Sequence, residues 1–134
     1  MREVVLDTET TGLDPEKGDR IVEIGAVELN NHLPTGKTYH KYINPKRAMP
    51  AEAFAVHGLG DDFLKDKPDF SEIVDGFLNF VADAKLIIHN ASFDMKFINA
   101  ELSWSGRSML PDEQALDTLA IARRKYPGSP ASLD

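Results

Sequence analysis

The chain has 134 residues, 42% of them hydrophobic and 28% charged, and its formal net charge is −7. This length suits one domain with a single core, while the lack of cysteine excludes disulfides, thiolate metal sites and cysteine nucleophiles. No apolar run is long enough to span a membrane and no signal peptide is recognisable, so a cytoplasmic location is expected. The net negative charge argues against a basic surface that binds nucleic acid, unless several acids converge on bound cations.

The first predicted element is a strand in which the apolar residues 4–6 lead into Asp7, Thr8 and Glu9. Three consecutive β-formers favour a central strand that is buried on both faces. Residues two apart on a strand share a face, so Asp7 and Glu9 project together while Thr8 points the other way. Paired carboxylates suit a hard divalent cation such as Mg²⁺ or Mn²⁺, although two solvated acids at a strand end are the alternative.

Strands are predicted next at residues 21–29 and 38–43, and their short connections make an antiparallel meander with the first. Short helices are expected at residues 50–56 and 61–65. An amphipathic helix should follow Asp69, because six apolar residues recur with helical spacing: Phe70, Ile73, Val74, Phe77, Leu78 and Val81. The remaining predictions are a buried strand at 86–88, a helix at 93–104 with Ser92 as N-cap, a short strand at 114–116 and a helix at 117–126.

This order of elements predicts an α/β fold in which a three-stranded antiparallel meander joins parallel strands in one mixed sheet flanked by helices. Ligands of such sheets lie beyond the carboxyl ends of the central strands. Asp94 follows the strand at 86–88 and would approach Asp7 and Glu9 if the two strands are neighbours. Three such acids suit a two-metal site, although Asp94 could instead only complement its helix dipole. Asp117 is expected to cap the last helix or accept a buried hydrogen bond.

Two segments, DTETTG at 7–12 and HNASFD at 89–94, resemble the first two motifs of the ribonuclease-H-like 3′–5′ exonucleases of the DEDD group, histidine subtype. The segments IVEIGAVE, EAFAVHG and DTLAIARRKYPG narrow the resemblance to the epsilon (proofreading) subunits of bacterial DNA polymerase III, almost from end to end. The resemblance implies metal-dependent proofreading of single-stranded DNA 3′ ends, release of nucleoside 5′-monophosphates and association with a polymerase catalytic subunit.

By matching position, the resemblance implies that Asp7, Glu9 and Asp94 are catalytic carboxylates that hold two Mg²⁺ or Mn²⁺ ions. It implies that the substrate is bound by Asp7, Glu9, Thr10, Thr11, Gly12, Glu52, His57 and Phe93. The residues alone leave other interpretations open for three of these. Glu52 could be a surface acid, His57 a polar residue before a helix-ending glycine, and Phe93 a core aromatic instead of a base-stacking one. The turn at 10–12 could present backbone N–H groups to phosphates.

The family carries a third motif, a histidine followed five residues later by an aspartate, beyond the segment that ends at Asp134. We therefore expect residues 1–134 to form a single exonuclease domain that is shortened at its C-terminus. It would lack a general base and a last helix, and would hydrolyse DNA weakly or not at all. Two alternatives stay open: an RNA-trimming exonuclease of the same fold, and a non-catalytic module that docks on a polymerase.

Overall fold

The computed structural model describes residues 1–125, with side chains as far as Ile121. The strands within this range are β1 (Arg2–Thr10), β2 (Ile21–Asn30), β3 (Leu33–Tyr42), β4 (Lys85–Ile88) and β5 (Ala115–Asp117). The helices are α1 (Ala51–His57), α2 (Asp61–Leu64), α3 (Phe70–Val81), α4 (Ala91–Trp104) and α5 (Thr118–Lys125), with 3₁₀ turns at Pro15–Lys17 and Asp112–Gln114. Among the described residues, no helix has the length and apolar character that a membrane crossing requires.

The strands form one mixed sheet in the order β3-β2-β1-β4-β5. The first three strands are antiparallel neighbours, whereas β4 runs parallel to β1 and β5 runs parallel to β4. The predicted α/β fold, with a meander joined to parallel strands, is therefore confirmed. Strand β1 lies in the middle, so the ends of β1 and β4 meet at one edge of the sheet.

The amphipathic helix α3 begins where the sequence predicts it. The Asp69 side chain accepts a hydrogen bond from the Glu72 N–H, and the Glu72 side chain accepts one from the Asp69 N–H, which forms a capping box. The apolar stripe of α3 is buried except for Leu78, which is partly buried, and Phe70 and Phe77 are fully inaccessible. Burying side chains of this size contributes about 1.5–3 kcal/mol each. This stripe and the inner side of α4 form the core against one face of the sheet.

Several boundaries differ from the predictions. Strand β3 begins at Leu33 instead of residue 38, because an edge strand tolerates Pro34 and Gly36 where a central strand would not. Ser92 is not the N-cap of α4: the helix starts at Ala91, and Asn90 occupies the cap position in a left-handed conformation with φ 63°. The predicted end of the last helix at Tyr126 lies outside the described residues.

The two faces of the sheet are buried to different extents. On the face that packs against α3 and α4, which we call the covered face, Val4 and Leu6 are 0% and 3% exposed. On the opposite face, the open face, Val5 is 41% exposed and its cross-strand neighbour Val27 is 39% exposed. The prediction that β1 is buried on both faces is therefore wrong, since three apolar residues in a row do not by themselves specify two covered faces.

Candidate active site

Asp7 and Glu9 lie on the open face near the carboxyl end of β1. Asp7 is opposite Gly25 in the ladder with β2, and Glu9 is opposite Glu23. A Cβ atom added at Gly25 would meet no other atom within 4 Å. The space beside the Asp7 carboxylate is therefore open, as a site that admits a ligand requires.

Asp94 lies in the first turn of α4, just beyond the end of β4, and only 5% of it is exposed. Its pKa is raised to about 7, first by burial and then by the negative charge of Asp7, with smaller contributions from Glu9 and Asp117. The structure thus brings the three predicted acids within electrostatic reach of one another. Burial also raises the pKa of Asp7 and of Glu9, but water screens these less buried groups more strongly.

The chemistry of this cluster fits a divalent cation. Acids that raise the pKa of one another are stabilised when a cation lies between them. The neighbouring Thr8 hydroxyl is buried without a hydrogen-bond partner of normal geometry among the described residues, although it lies close enough to Asp94 to lower the pKa of that carboxyl. Within residues 1–125, however, no three ligating side chains form a ready cage for an ion. Mg²⁺ commonly takes one or two carboxylates together with water and substrate phosphate, which matches this open arrangement.

A cavity of about 320 Å³ adjoins Glu9, between the turn that follows β1 and helix α1. Seven of the eight predicted substrate-binding residues line it: Glu9, Thr10, Thr11, Gly12, Glu52, His57 and Phe93. Asp7 is the exception: it shares the open face with Glu9 but lies two residues further back along β1. The remaining wall is mostly apolar, from Leu13, Ala53 and Val56. A polar side next to an apolar side suits the sugar-phosphate and the base of a single nucleotide.

The turn at 10–12 is held in place by Asp19. The Asp19 carboxylate accepts a hydrogen bond from the Thr11 hydroxyl at 2.9 Å, and a Cβ atom on Gly12 would lie 2.4 Å from the same carboxylate. A larger residue at position 12 would therefore displace the Asp19 carboxylate from its hydrogen bond with Thr11. The turn was predicted to offer its backbone N–H groups to phosphates, but the Thr11 N–H donates to the Arg20 carbonyl at 2.9 Å and is therefore not available. The Gly12 N–H has no acceptor among the described residues and remains a candidate.

Both ring nitrogens of His57 are engaged. The Leu59 N–H donates to Nδ1 at 3.1 Å, so Nε2 carries the proton and donates to the Thr10 carbonyl at 3.0 Å. Gly58, with φ 72°, ends the helix directly afterwards, as the alternative interpretation of His57 expects. The imidazole therefore fixes α1 to the end of β1 and presents a ring edge to the cavity.

The two other residues with competing interpretations also lie at the cavity. Glu52 is exposed in the first turn of α1. Phe93 is half-buried, and its ring centroid is 5.1 Å from that of Phe97, so it is anchored on the core while its free edge faces the cavity. Its position is compatible with both the core role and the base-stacking role.

Two acids near the site were not predicted as site residues. Glu23 is directly opposite Glu9 and raises the pKa of both Asp7 and Glu9, while its own carboxylate lies 2.5 Å from Nε2 of His40. Asp117 caps α5 by accepting from the Leu119 N–H at 2.9 Å, as expected, and its charge also raises the pKa of Asp94. The sequence does contain one signal for Glu23, since it is the only charged residue in the apolar run 21–27. That Glu23 faces Glu9, however, depends on the register between β1 and β2.

Comparisons with known sequences show the family of the chain. The family described as Exonuclease matches residues 4–134. The chain is similar to DNA polymerase III subunit epsilon of Rickettsia felis, with 56% identity over all of this chain and 60% of that protein. It is 44% identical to the subunit of the same name from Escherichia coli K12, over 99% of this chain and 58% of that protein. The chain thus spans about three fifths of the length of the curated relatives it matches.

Solved structures show the same architecture. Exonuclease X in complex with 5′ overhanging duplex DNA aligns with a TM-score of 0.73 and 25% identity, over 96% of this chain and 67% of that one. The metal-free Escherichia coli ExoI–ssDNA complex aligns with a TM-score of 0.82 over 93% of this chain and 30% of that one. Its identity is 15%, so it supports the fold alone.

Proposed function

Since the chain belongs to the Exonuclease family, we propose that it is the nuclease domain of a proofreading 3′–5′ exonuclease. It would remove mispaired nucleotides from single-stranded DNA 3′ ends during replication and release nucleoside 5′-monophosphates. The observation that carries this proposal is the convergence of Asp7, Glu9 and Asp94: burial, and then the charges of the two other acids, raise the pKa of Asp94 to about 7. It would act in the cytoplasm and associate with the catalytic subunit of a polymerase, and the name shared by its relatives, a subunit of DNA polymerase III, supports the association.

Two divalent cations, Mg²⁺ or Mn²⁺, fit the donor set, with Asp7 and Asp94 at one and Glu9 near the other. When bound, such ions acidify the attacking water and stabilise charge on the reacting phosphate. The cavity beside Glu9 would hold the terminal nucleotide, with its base against Phe93 and the apolar wall and its sugar near Glu52 and His57. Asp7 would touch the same nucleotide through its phosphate, and the Gly12 N–H would donate to that group.

The size of the cavity favours an unpaired end over a duplex. At about 320 Å³ it suits one nucleotide, so a paired terminus would have to separate before its last nucleotide enters. Unpairing a matched terminal base costs a few kcal/mol, and unpairing a mismatched base costs less. We propose that this difference, and not recognition of base identity, selects mispaired ends.

Among the described residues that line the cavity, the one histidine, His57, is not placed as a general base. The imidazole of His57, which lines the cavity, has both nitrogens in hydrogen bonds and cannot readily take a proton from water. We propose that the base belongs to sequence beyond Asp134, and that residues 1–134 are a shortened exonuclease domain. The partly exposed row formed by Val27, Val5 and Leu116 on the open face is where a further helix would pack.

The test follows the shortening of 5′-labelled single-stranded DNA with Mg²⁺ or Mn²⁺ and identifies the released nucleoside 5′-monophosphates by chromatography. We expect slow, metal-dependent release from the 3′ end, about 10²–10⁴-fold below an enzyme with its general base. Asp7→Asn and Glu9→Gln should each abolish it, whereas Asp62→Asn, at an exposed acid of α2, should not.

Three results of this assay would contradict the proposed function or a part of it. A full rate from these 134 residues would overturn the proposed missing base. Absence of both nucleotide release and Mn²⁺ binding would overturn the nuclease assignment. Preference for an RNA oligonucleotide over DNA of the same sequence would reassign the substrate, since the 2′-hydroxyl is the distinguishing group.

A further inference from the structure

A second, larger cavity begins where the site cavity ends. It is an open groove of about 1050 Å³ between the 3₁₀ turn Pro15–Lys17 and the outer side of α4. Leu13, which is 77% exposed, lines both cavities and forms the rim between them. A polymer whose last unit occupies the site cavity could therefore continue into this groove without a break.

The outer side of α4 forms the floor of the groove. Phe93 at the site cavity is followed at helical spacing by Lys96, Asn99 and Ser103, which share one side of the helix. Trp104 lies at the far end, eleven residues after Phe93 and therefore roughly 16 Å away along the helix. That distance accommodates about five nucleotides when stacked at about 3.4 Å, and fewer when the strand is extended.

Trp104 is a fixed aromatic surface at this far end. The Arg20 guanidinium lies 4.8 Å from the centre of the indole ring. Arg20 in turn donates to both carboxylate oxygens of Glu101, at 3.0 and 2.6 Å, and Glu101 is 1% exposed. With one face on a locked cation, the indole is still 51% exposed, so it is oriented in advance for stacking.

The walls of the groove are also formed in advance. The Asn99 side chain donates to the Leu110 carbonyl at 3.2 Å and accepts from the Leu110 N–H at 2.8 Å, which fixes the segment that carries Met109. On the other side, the Asp14 side chain accepts from the Glu16 N–H at 2.9 Å and caps the 3₁₀ turn. A ligand would therefore meet a prepared surface.

We propose that this groove binds the single-stranded polynucleotide that precedes the terminal nucleotide, with a base stacked on Trp104 and phosphates near Lys96 and Lys17. The proposal rests on the proposed function, because it extends the strand whose end occupies the site cavity. Lys17 and Lys96 are opposed by Asp14 and Glu16 in the groove lining, so stacking supplies most of the affinity and the salt dependence is small.

Trp104 is the single tryptophan of the chain, so its fluorescence reports on this groove directly. The probes are dTMP and oligothymidylates of two to eight nucleotides with a phosphorothioate at the 3′-terminal linkage, titrated in the presence of Mn²⁺. We expect dTMP to bind without changing the fluorescence. Oligomers of about four or more nucleotides should quench it and bind at least about tenfold more tightly.

Variants separate the groove from the site cavity. Trp104→Ala should lose the gain in affinity with length and keep the affinity for dTMP, whereas Trp104→Phe should retain much of that gain when a labelled oligomer is followed by anisotropy. Lys96→Ala should lower the slope of log affinity against log salt by about 0.7, and Glu16→Gln should tighten oligomer binding. Lys85→Ala, in a cavity at the opposite end of the sheet, is the matched control and should change neither the affinity for oligomers nor its salt dependence.

The outcomes distinguish two failures. If dTMP binds but longer oligomers neither bind more tightly nor change the fluorescence, the groove has another occupant and the proposal is overturned, while the proposed function stands. If dTMP itself fails to bind with Mn²⁺, the proposed function falls first. Should Trp104→Ala not fold, Lys96→Ala and the wild-type fluorescence still decide the question.

Discussion

The covered and open faces of the sheet differ in burial and in the residues that they carry. Val4, Leu6 and Ile24 on the covered face are almost inaccessible and pack against α3 and α4. The open face leaves Val5 and Val27 about two fifths exposed and carries Asp7 and Glu9 near the end of β1. The covered face therefore supplies most of the stability, whereas the open face carries acids that repel one another and suit a bound cation. Asp94, at the start of α4, belongs to the boundary between them.

The largest expected effect on stability is on the covered face. Phe77→Ala removes a fully buried ring from the core, which should lower the free energy of unfolding by about 3–5 kcal/mol. Phe54→Ala is the matched control because that ring is 49% exposed on α1, and it should cost much less. Urea unfolding of both variants measures the difference, and equal losses would contradict the assignment of the core to this face.

Asp94→Asn should stabilise the metal-free protein at high pH. The folded state raises the pKa of Asp94 from 3.8 to about 7, so the folded protein keeps a proton that the unfolded chain releases. Stability from this group is then lost as the pH rises from about 4 to about 7, by at most about 4 kcal/mol in total. Asparagine cannot ionise, so the variant should avoid that loss.

Urea unfolding at pH 5 and pH 8 in EDTA checks this prediction. We expect the gain of Asp94→Asn over wild type to be clearly larger at pH 8. Saturating Mn²⁺ should reverse the order of stability at pH 8, because only the wild type can bind the ion through this carboxylate. A gain that is equal at both pH values would show that ionisation of Asp94 is not its cause.

Neighbouring residues of β1 test the two faces with the same substitution. Val4→Thr buries a hydroxyl on the covered face without a planned partner and should cost about 1–3 kcal/mol. Val5→Thr places the same hydroxyl on the open face, where water reaches it, and should change stability by no more than about 0.5 kcal/mol. Thermal or urea unfolding of the pair is sufficient, and similar losses at both positions would mean that the open face is covered in solution.

A small effect is also expected at Glu23, the acid opposite Glu9. Glu23→Gln removes one negative charge from the open face and should lower the pKa of both Glu9 and Asp7, since the Glu23 charge raises each of them. The stability of the metal-free protein should rise by only about 0.2–1 kcal/mol, because the lost pair with His40 offsets part of the relief. Carboxyl NMR titration measures the pKa values, and unchanged values at Glu9 would contradict the register-based account.

Local patterns in the sequence predicted most elements of the fold. The spacing of the α3 stripe and the start of the helix after Asp69 are local signals, and both are confirmed. The start of β3 was missed, because Pro34 and Gly36 look like loop residues until the strand is known to lie at an edge. The part played by Glu23 was also missed, because it depends on the pairing of β2 with β1, which no short segment encodes.

The predicted site residues divide in the same way. Seven of the eight predicted substrate residues line one cavity, a grouping that matching motifs could anticipate. Their detailed roles could not be read from motifs, because roles depend on which atoms are already occupied. The Thr11 N–H and Nε2 of His57 donate to backbone carbonyls of residues that are distant in the sequence. Nδ1 of His57 accepts from the Leu59 N–H in a local turn.

Binding of Mn²⁺ at pH 8 tests the central claim most directly. Calorimetry or electron paramagnetic resonance should detect binding to the wild type, and dTMP should tighten it, because no three described side chains form a complete cage without substrate oxygens. Asp7→Asn, Glu9→Gln and Asp94→Asn should each weaken binding by at least about tenfold, whereas Asp62→Asn should bind as the wild type does. Unaltered Mn²⁺ affinity in all three site variants would contradict a shared metal site.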